Sequence, residues 1–308
     1  MNMTDKLKFP YIWMDGKYVK WNQAKVHILT HALHYGTAIF EGMRCYQTQK
    51  GPAIFRLNEH LQRMYDGLRI YDLPITYSYD KYRKAVINTL KKNKAKECYI
   101  RPIAYLGYKK IGLDKTGIPL SMAIIPVHFP KYYGKKSETG LKMIVSSWRR
   151  IRSTILSPHV KASANYLNSV LAKAEAREDG HDEAVMLNAE GHVAEASADN
   201  IFIYETDTLY TPPLYDGALG GITRDSVIQL AKYLEIPIKE KTILRDELYT
   251  AEEVFVTGTA AEIVHTRSID GRQIGNGKKG KITEKLQKLF QEVVRGRVKK
   301  FDKWLTYY

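Results

Sequence analysis

The sequence predicts an α+β protein built as two domains, and three observations carry that expectation. The chain opens with a strand hairpin followed by amphipathic helical stripes and β-branched runs. A stretch rich in breakers and charge interrupts it at 126–140. Beyond that, short strand-like runs alternate with helical stripes without any internal repeat. The expected division is a smaller α+β domain over 1–127, a linker over 128–140 and a larger domain over 141–308.

In chain order, Tyr11–Met14 and Lys17–Trp21 flank Asp15-Gly16, a dipeptide suited to a type I′ turn. A helix is expected from Asn58 as N-cap, because Leu57, Leu61, Met64, Tyr65 and Leu68 form one apolar stripe. A second helix starts near Asp80, and 97–105 and 121–127 have the β-branched and aromatic content of strands. After the linker, strands are expected near 142–147, 184–188, 200–204, 208–211, 253–257 and 262–266. One interleaved helix carries Leu167, Val170, Leu171 and Ala174 on one face and stops at Gly180. Another carries Val227, Leu230, Ala231 and Leu234.

Bulk properties exclude several function classes. None of the apolar runs in the 308 residues approaches the roughly 20 a membrane helix needs. The first ten residues lack the apolar core of a secretory signal, so residence in the cytoplasm is expected. Two cysteines, Cys45 and Cys98, are too few for a disulfide framework or a zinc site, and no metal is expected. The formal charge of +15 suggests anionic ligands or a nucleic-acid surface. Over 278–303, however, Leu286, Phe290, Val293, Val294 and Arg297 form an ordinary amphipathic stripe with lysines outside, so no nucleic-acid partner is expected.

Six segments carry chemistry. Lys161, in Ser-Pro-His-Val-Lys-Ala-Ser-Ala-Asn-Tyr, sits among small residues just before a helix; partial burial there would lower its amine pKa, as a lysine that condenses with a carbonyl requires. In a chain this rich in lysine, position alone would make it a surface residue. Glu195 follows a turn among alanines, where a carboxylate can either pair a protonated ring nitrogen or cap a turn. Gly220-Gly221-Ile222-Thr223 opens a helix whose free N–H groups suit phosphate, or is a plain glycine turn with Thr223 as N-cap. Thr257-Gly258-Thr259-Ala260-Ala261 is either a tight loop or a set of amides facing an anion. His31-Ala-Leu-His-Tyr35-Gly-Thr-Ala-Ile-Phe40-Glu-Gly42 fits neither a clean helix nor a clean strand. Its histidines have no completing metal ligand and are read as structural. Tyr99 and Arg101 share a strand face, where an arginine binds a carboxylate bidentately or pairs with a structural acid.

Taken together, these segments resemble the fold-type IV family of pyridoxal phosphate enzymes, and within it the branched-chain amino acid aminotransferases, from Tyr11 to about Gly275. The resemblance implies a smaller α+β domain and a larger one with a β pseudo-barrel surrounded by helices. It implies pyridoxal 5′-phosphate attached at Lys161, Glu195 on the pyridine nitrogen, Tyr166 at the ring oxygen, and Arg56, Ile222, Thr223 and Thr259 at the phosphate. Tyr99, Thr259 and Ala260 are implied at the substrate α-carboxylate. Arg101, Tyr35 and one of Tyr132 or Tyr133 are implied at a distal carboxylate, with Phe40 and Gly42 lining the side-chain pocket. A homodimer or higher homo-oligomer is implied as well. The sequence departs from the family pattern at Ser163-Ala164, Ala196 and Ala198, where glycines are usual; the extra methyls tighten the cofactor's surroundings.

The implied reaction moves the amino group of leucine, isoleucine or valine to 2-oxoglutarate, with Lys161 as the proton-transfer base. A D-amino acid aminotransferase or an aminodeoxychorismate lyase would share Lys161, Glu195 and the phosphate residues. Tyr-Ile-Arg-Pro and the Leu-His-Tyr-Gly block favour the branched-chain type.

Overall fold

The computed structural model describes residues 7–130 and 132–308. In chain order the elements are β1 (Tyr11–Met14), β2 (Lys17–Lys20), α1 (His31–Tyr35), β3 (Ala38–Phe40), β4 (Met43–Thr48), β5 (Gly51–Phe55), α2 (Leu57–Ile70), α3 (Tyr79–Lys92), β6 (Cys98–Leu106) and β7 (Leu120–Val127). There follow α4 (Lys136–Thr139), β8 (Leu141–Val145), α5 (Ser163–Glu178), β9 (Glu183–Leu187), β10 (Val193–Ala196), β11 (Asn200–Glu205), β12 (Thr208–Thr211), α6 (Ile222–Tyr233), β13 (Ile238–Glu240) and α7 (Glu247–Thr250). The chain finishes with β14 (Glu253–Gly258), β15 (Glu262–Ile269), β16 (Arg272–Gln273), α8 (Lys281–Val294) and β17 (Leu305–Tyr307).

These elements form two compact units. Among the described residues one takes 7–130, Val160–Ala164 and Val293–Tyr308; the other takes 132–159 and Asn165–Glu292. The change of unit after Pro130 falls inside the stretch expected as a linker. The short segment bearing Lys161 and the last sixteen residues, expected with the larger domain, cluster with the first unit instead. The reason is local pairing: Ala162 bridges Ile39, and β17 pairs with β5.

The first unit is an antiparallel sheet in the order β17-β5-β4-β6-β7-β1-β2, with β3 joined to β6. Its opening hairpin has Met14 opposite Lys17, and Asp15 and Gly16 both take positive φ (46° and 88°), the conformation of the predicted turn. Helix α2 buries Leu57, Leu61, Met64 and Leu68, the predicted stripe, against this sheet's core. Its start differs from expectation. Arg56 is the N-cap residue, in the left-handed region (φ 53°, ψ 36°), and Asn58 lies inside the first turn, where its Oδ1 accepts from Arg83 Nε at 2.8 Å. Helix α3 starts one residue before Asp80, capped by the Ser78 hydroxyl.

The second unit is a sheet in the order β10-β9-β8-β15-β14-β11-β12-β13, with β16 on β15 and parallel pairs at β8/β9, β8/β15 and β12/β13. Helix α6 buries Val227, Leu230 and Ala231, as its stripe predicts. Helix α5 departs from expectation. Its buried face is Asn165, Ser169, Ala172 and Ala176, whereas Leu167 and Val170 stand exposed. Ala172 and Ala176 pack with Ala184 and Met186 of β9, so small side chains bring helix and strand close and turn the larger ones outward. In α8, Leu286, Phe290, Val293 and Val294 are buried as predicted, while Arg297 lies beyond the helix end and is exposed. Among the described residues no helix is long and apolar enough to cross a membrane.

Candidate active site

In the first unit the chemistry gathers around a strap, residues 38–44, that links β3 to β4. Its Phe40 amide donates to the Lys161 carbonyl at 3.0 Å, beside the Ile39–Ala162 bridge. The main chain of Lys161 is thereby held as if it were an extra strand. The half-buried ammonium stands 5.3 Å from the Phe40 ring centre. The Arg101 guanidinium stands 4.7 Å from the same ring, so one aromatic side chain meets both cations.

Strand β6 pairs with β4 so that Arg44 faces Tyr99. Arg101 Nη2 donates to the Tyr99 hydroxyl at 2.9 Å, which places the two side chains on one face as predicted. That hydroxyl lies so close above Gly42 that a Cβ there would overlap it, so any side chain at this position would displace the Tyr99 ring. Tyr35 ends α1, and its hydroxyl accepts from the Gly112 amide at 3.2 Å. His31 bonds the Thr37 hydroxyl at 2.8 Å and the Gly112 carbonyl at 3.1 Å, and His34 bonds the Ile28 carbonyl, so both histidines hold loops. Arg56 donates its amide to the Trp304 carbonyl at 2.7 Å, lies 4.7 Å from that indole and pairs with Glu59 at 2.5 Å.

In the second unit Glu195 is buried and pinned from three sides. Arg150 Nη2 lies 2.8 Å from Oε1; Asn200 Nδ2 and the Leu219 amide donate to Oε2 at 3.1 and 3.0 Å. Arg150 is buried too, and its Nε donates to the Gly217 carbonyl. Asn200 Nδ2 also donates to the Leu219 carbonyl, and its Oδ1 sits where a Cβ on Gly221 would be. One asparagine thus ties the carboxylate to the start of α6.

Gly221 caps α6 without any side-chain hydrogen bond, so Thr223, expected as a possible cap, lies buried inside the first turn beside Ile222. The first amides of a helix have no partner within it and attract anions. Thr259 and Ala260, both half-buried, lie in the tight connection between β14 and β15, where Gly258 pairs with Glu262. Gly258 has no room for a side chain because Asp199 Oδ1 lies against it. Tyr166 is half-buried on α5.

Of the two neighbouring tyrosines, Tyr133 has its hydroxyl committed: it donates toward Glu183 Oε2 at 2.8 Å and Asp199 Oδ2 at 2.7 Å. Burial, then the charges of Asp199 and Glu183, push that phenol far above its ordinary pKa. Tyr132 packs edge-on to it, 4.7 Å between centres, and is exposed.

Arg150, Asn200 and Trp304 escape sequence reasoning. Arg150 follows another arginine in a strongly basic chain and looks like a solvated charge. Asn200 reads as a turn residue. Nothing local in 299–308 points to Arg56.

The class IV aminotransferase family matches residues 38–269. The branched-chain-amino-acid aminotransferase of Escherichia coli (strain K12) is 41% identical over 304 residues, which cover 98% of this chain and 97% of that protein. The crystal structure of an E. coli branched-chain amino acid aminotransferase superposes with a TM-score of 0.95 at 40% identity, covering 97% of this chain and 99% of that one. The branched-chain aminotransferase of the archaeon Thermoproteus uzoniensis, solved with norvaline, superposes at 0.93 and 43% identity, covering 97% and 99%. The chain belongs to the class IV aminotransferases and, among them, to the branched-chain-amino-acid aminotransferases.

Proposed function

We propose that this chain transfers the amino group of leucine, isoleucine or valine to 2-oxoglutarate, using pyridoxal 5′-phosphate. The full-length likeness to branched-chain-amino-acid aminotransferases carries the reading.

The donor set fits the cofactor. A carboxylate oxygen has room for at least two donors, and Glu195 Oε1 receives only Arg150 among the described residues, so a protonated ring nitrogen would find there an acceptor already oriented and charge-balanced. Ile222 and Thr223 at the start of α6, with Thr259 and Arg56, would hold the phosphate; Tyr166 would face the ring oxygen; Lys161 would hold the carbonyl carbon. When bound, the cofactor supplies an electron sink for the carbanion formed on losing the substrate Cα proton.

The remaining work falls to side chains. Lys161 Nζ takes the Cα proton and later returns it, a general-base role for an amine whose main chain the strap holds still. Tyr99, Thr259 and Ala260 orient the α-carboxylate. Phe40 and Gly42 shape an apolar wall for a branched side chain, and Arg101, with Tyr35, receives the distal carboxylate of glutamate. Because the Tyr133 hydroxyl is engaged by Glu183 and Asp199, we assign the accompanying phenol to Tyr132.

A homodimer is part of this reading. Ile28, Leu33, Ile111 and Leu113 of the first unit, and Leu167 and Val170 of the second, are exposed apolar side chains of a kind that a second copy would cover. Residence in the cytoplasm and small-molecule partners alone complete it.

The test is an absorbance spectrum of the purified protein with pyridoxal 5′-phosphate, borohydride reduction and peptide mapping, followed by assay of L-leucine against D-alanine with 2-oxoglutarate. The expected result is a label on Lys161 and preference for L-leucine. A label elsewhere, or D-alanine preferred, would overturn the proposal.

A further inference from the structure

Helix α2 carries more than its apolar stripe. Arg56 stands just before its first turn, and further along the same helix His60 and Arg63 converge on a single carboxylate, Glu41, which is fully buried. Arg63 Nε reaches Oε1 at 2.6 Å, and Arg63 Nη2 and His60 Nδ1 reach Oε2, each at 2.8 Å. The Gly42 amide adds a bond to Oε2 at 3.2 Å. An arginine fork fixes a carboxylate in plane as well as in place.

Glu41 is the middle residue of the strap. Its own amide donates to the Pro102 carbonyl at 2.9 Å. On one side of it, Phe40 holds the Lys161 carbonyl and meets the Lys161 and Arg101 cations with its ring. On the other, Gly42 lies under the Tyr99 hydroxyl. One carboxylate therefore connects the helix that begins at Arg56 with the backbone that holds Lys161.

We propose that Glu41 is a positioning residue for the transamination reaction, a buried clamp through which His60 and Arg63 set the strap and with it the placement of Lys161, Phe40 and Gly42. The proposal rests on the functional reading above. Stability alone does not explain the arrangement, because well-packed apolar residues of similar volume generally serve a core at least as well as a buried ion pair. What the charged cluster adds is a fixed direction for the strap.

The clamp stays charged across ordinary pH. Burial alone would raise the Glu41 pKa, but the charges and hydrogen bonds of Arg63 and His60 outweigh it and hold the carboxyl far below the usual range. Burial lowers the His60 pKa; Glu41 opposes that shift, while Arg63 and Lys161 reinforce it. The imidazole is thus neutral at pH 7, with its Nδ1–H donated to Glu41.

Three measurements on full-length Glu41→Gln test the proposal. These are amide hydrogen exchange by mass spectrometry, affinity for pyridoxal 5′-phosphate titrated into the cofactor-free protein, and kcat and KM for leucine. An amide keeps the shape but removes the anion on which Arg63 and His60 converge. Exchange should rise about tenfold or more in peptides covering 38–44 and 159–163 and remain slow in α3 and in β14. Cofactor affinity should fall roughly tenfold, and kcat should fall more than KM rises. Arg63→Lys, a milder change that keeps the charge and loses the fork, should shift the same readouts in the same direction if Glu41→Gln does not fold. Exchange that is unchanged, or that rises uniformly over the whole chain, overturns the clamp, as does unaltered cofactor affinity in a folded variant. If even the parent protein fails to bind the cofactor, the functional reading fails, while strap-confined exchange would still support the mechanical role of Glu41.

Discussion

Arg101→Leu separates the two halves of the proposed reaction. In the structure the guanidinium has two neighbours that every substrate shares, the Tyr99 hydroxyl at 2.9 Å and the Phe40 ring at 4.7 Å. Losing those costs on the order of 1 kcal/mol, whichever amino acid is bound. A glutamate or 2-oxoglutarate side-chain carboxylate loses a charge-assisted contact as well, worth roughly 1.5–3 kcal/mol. Leucine loses no such contact and meets an apolar side chain of compatible chemistry. The ratio of specificities, leucine over glutamate, should therefore rise about ten- to a hundredfold. Single-turnover kinetics of the cofactor-loaded enzyme with each amino acid alone reads this ratio directly. Equal losses for both would refute the reasoning and leave Arg101 either at the α-carboxylate or as a support for the strap.

Lys161→Ala should abolish transamination with the circular dichroism and melting profile preserved, since the side chain is only half-buried; appreciable turnover would show that another group moves the proton. Glu195→Gln should still bind cofactor but slow Cα deuterium exchange from labelled leucine, because an amide cannot balance a protonated ring nitrogen. Arg150→Met leaves Glu195 buried with only neutral donors, and breaking such a pair costs about 3–5 kcal/mol, measured as a lower denaturant midpoint. Stability should also decline on acidification. Burial, the largest influence on each, depresses the pKa of both His60 and His265, so the unfolded chain binds their protons more readily; the contribution is complete above about 6.5 and is lost as pH falls below it toward the folded-state values. A flat denaturation midpoint between pH 7 and 5 would contradict this.

How much of this was legible in the sequence depended on range. The hairpin at Asp15-Gly16, the α2 stripe and the Tyr99–Arg101 face are set by residues two to eleven apart, where turn chemistry and periodicity act directly. Helix α5 departs from its stripe because periodicity marks an apolar face without saying which way it points; Ala172 and Ala176 take the inside through close approach to β9. Strands β3, β4 and β5 escaped because a run such as Ala-Ile-Phe-Glu-Gly-Met-Arg is buried on both sides and shows no alternation. The partners that hold the site residues, Arg150 to Glu195 and Arg63 to Glu41, are set by tertiary pairing across tens of residues, and no local pattern announces them.

The dependence of Arg56 on Trp304 gives the molecule a timetable. The arginine takes a left-handed backbone conformation that costs a non-glycine residue on the order of 1–3 kcal/mol, and its amide and guanidinium meet Trp304 only when the segment around β17 docks beside β5. A growing polypeptide leaves the ribosome from its amino end, so residue 56 emerges long before residue 304 exists. Until then the turn lacks its Trp304 contacts, although Glu59 and the His60 amide, both local, can already engage Arg56. The strained turn that leads into α2 thus gains its Trp304 contacts only after a residue far along the chain has been made, and its geometry is set by tertiary docking more than by its own neighbourhood.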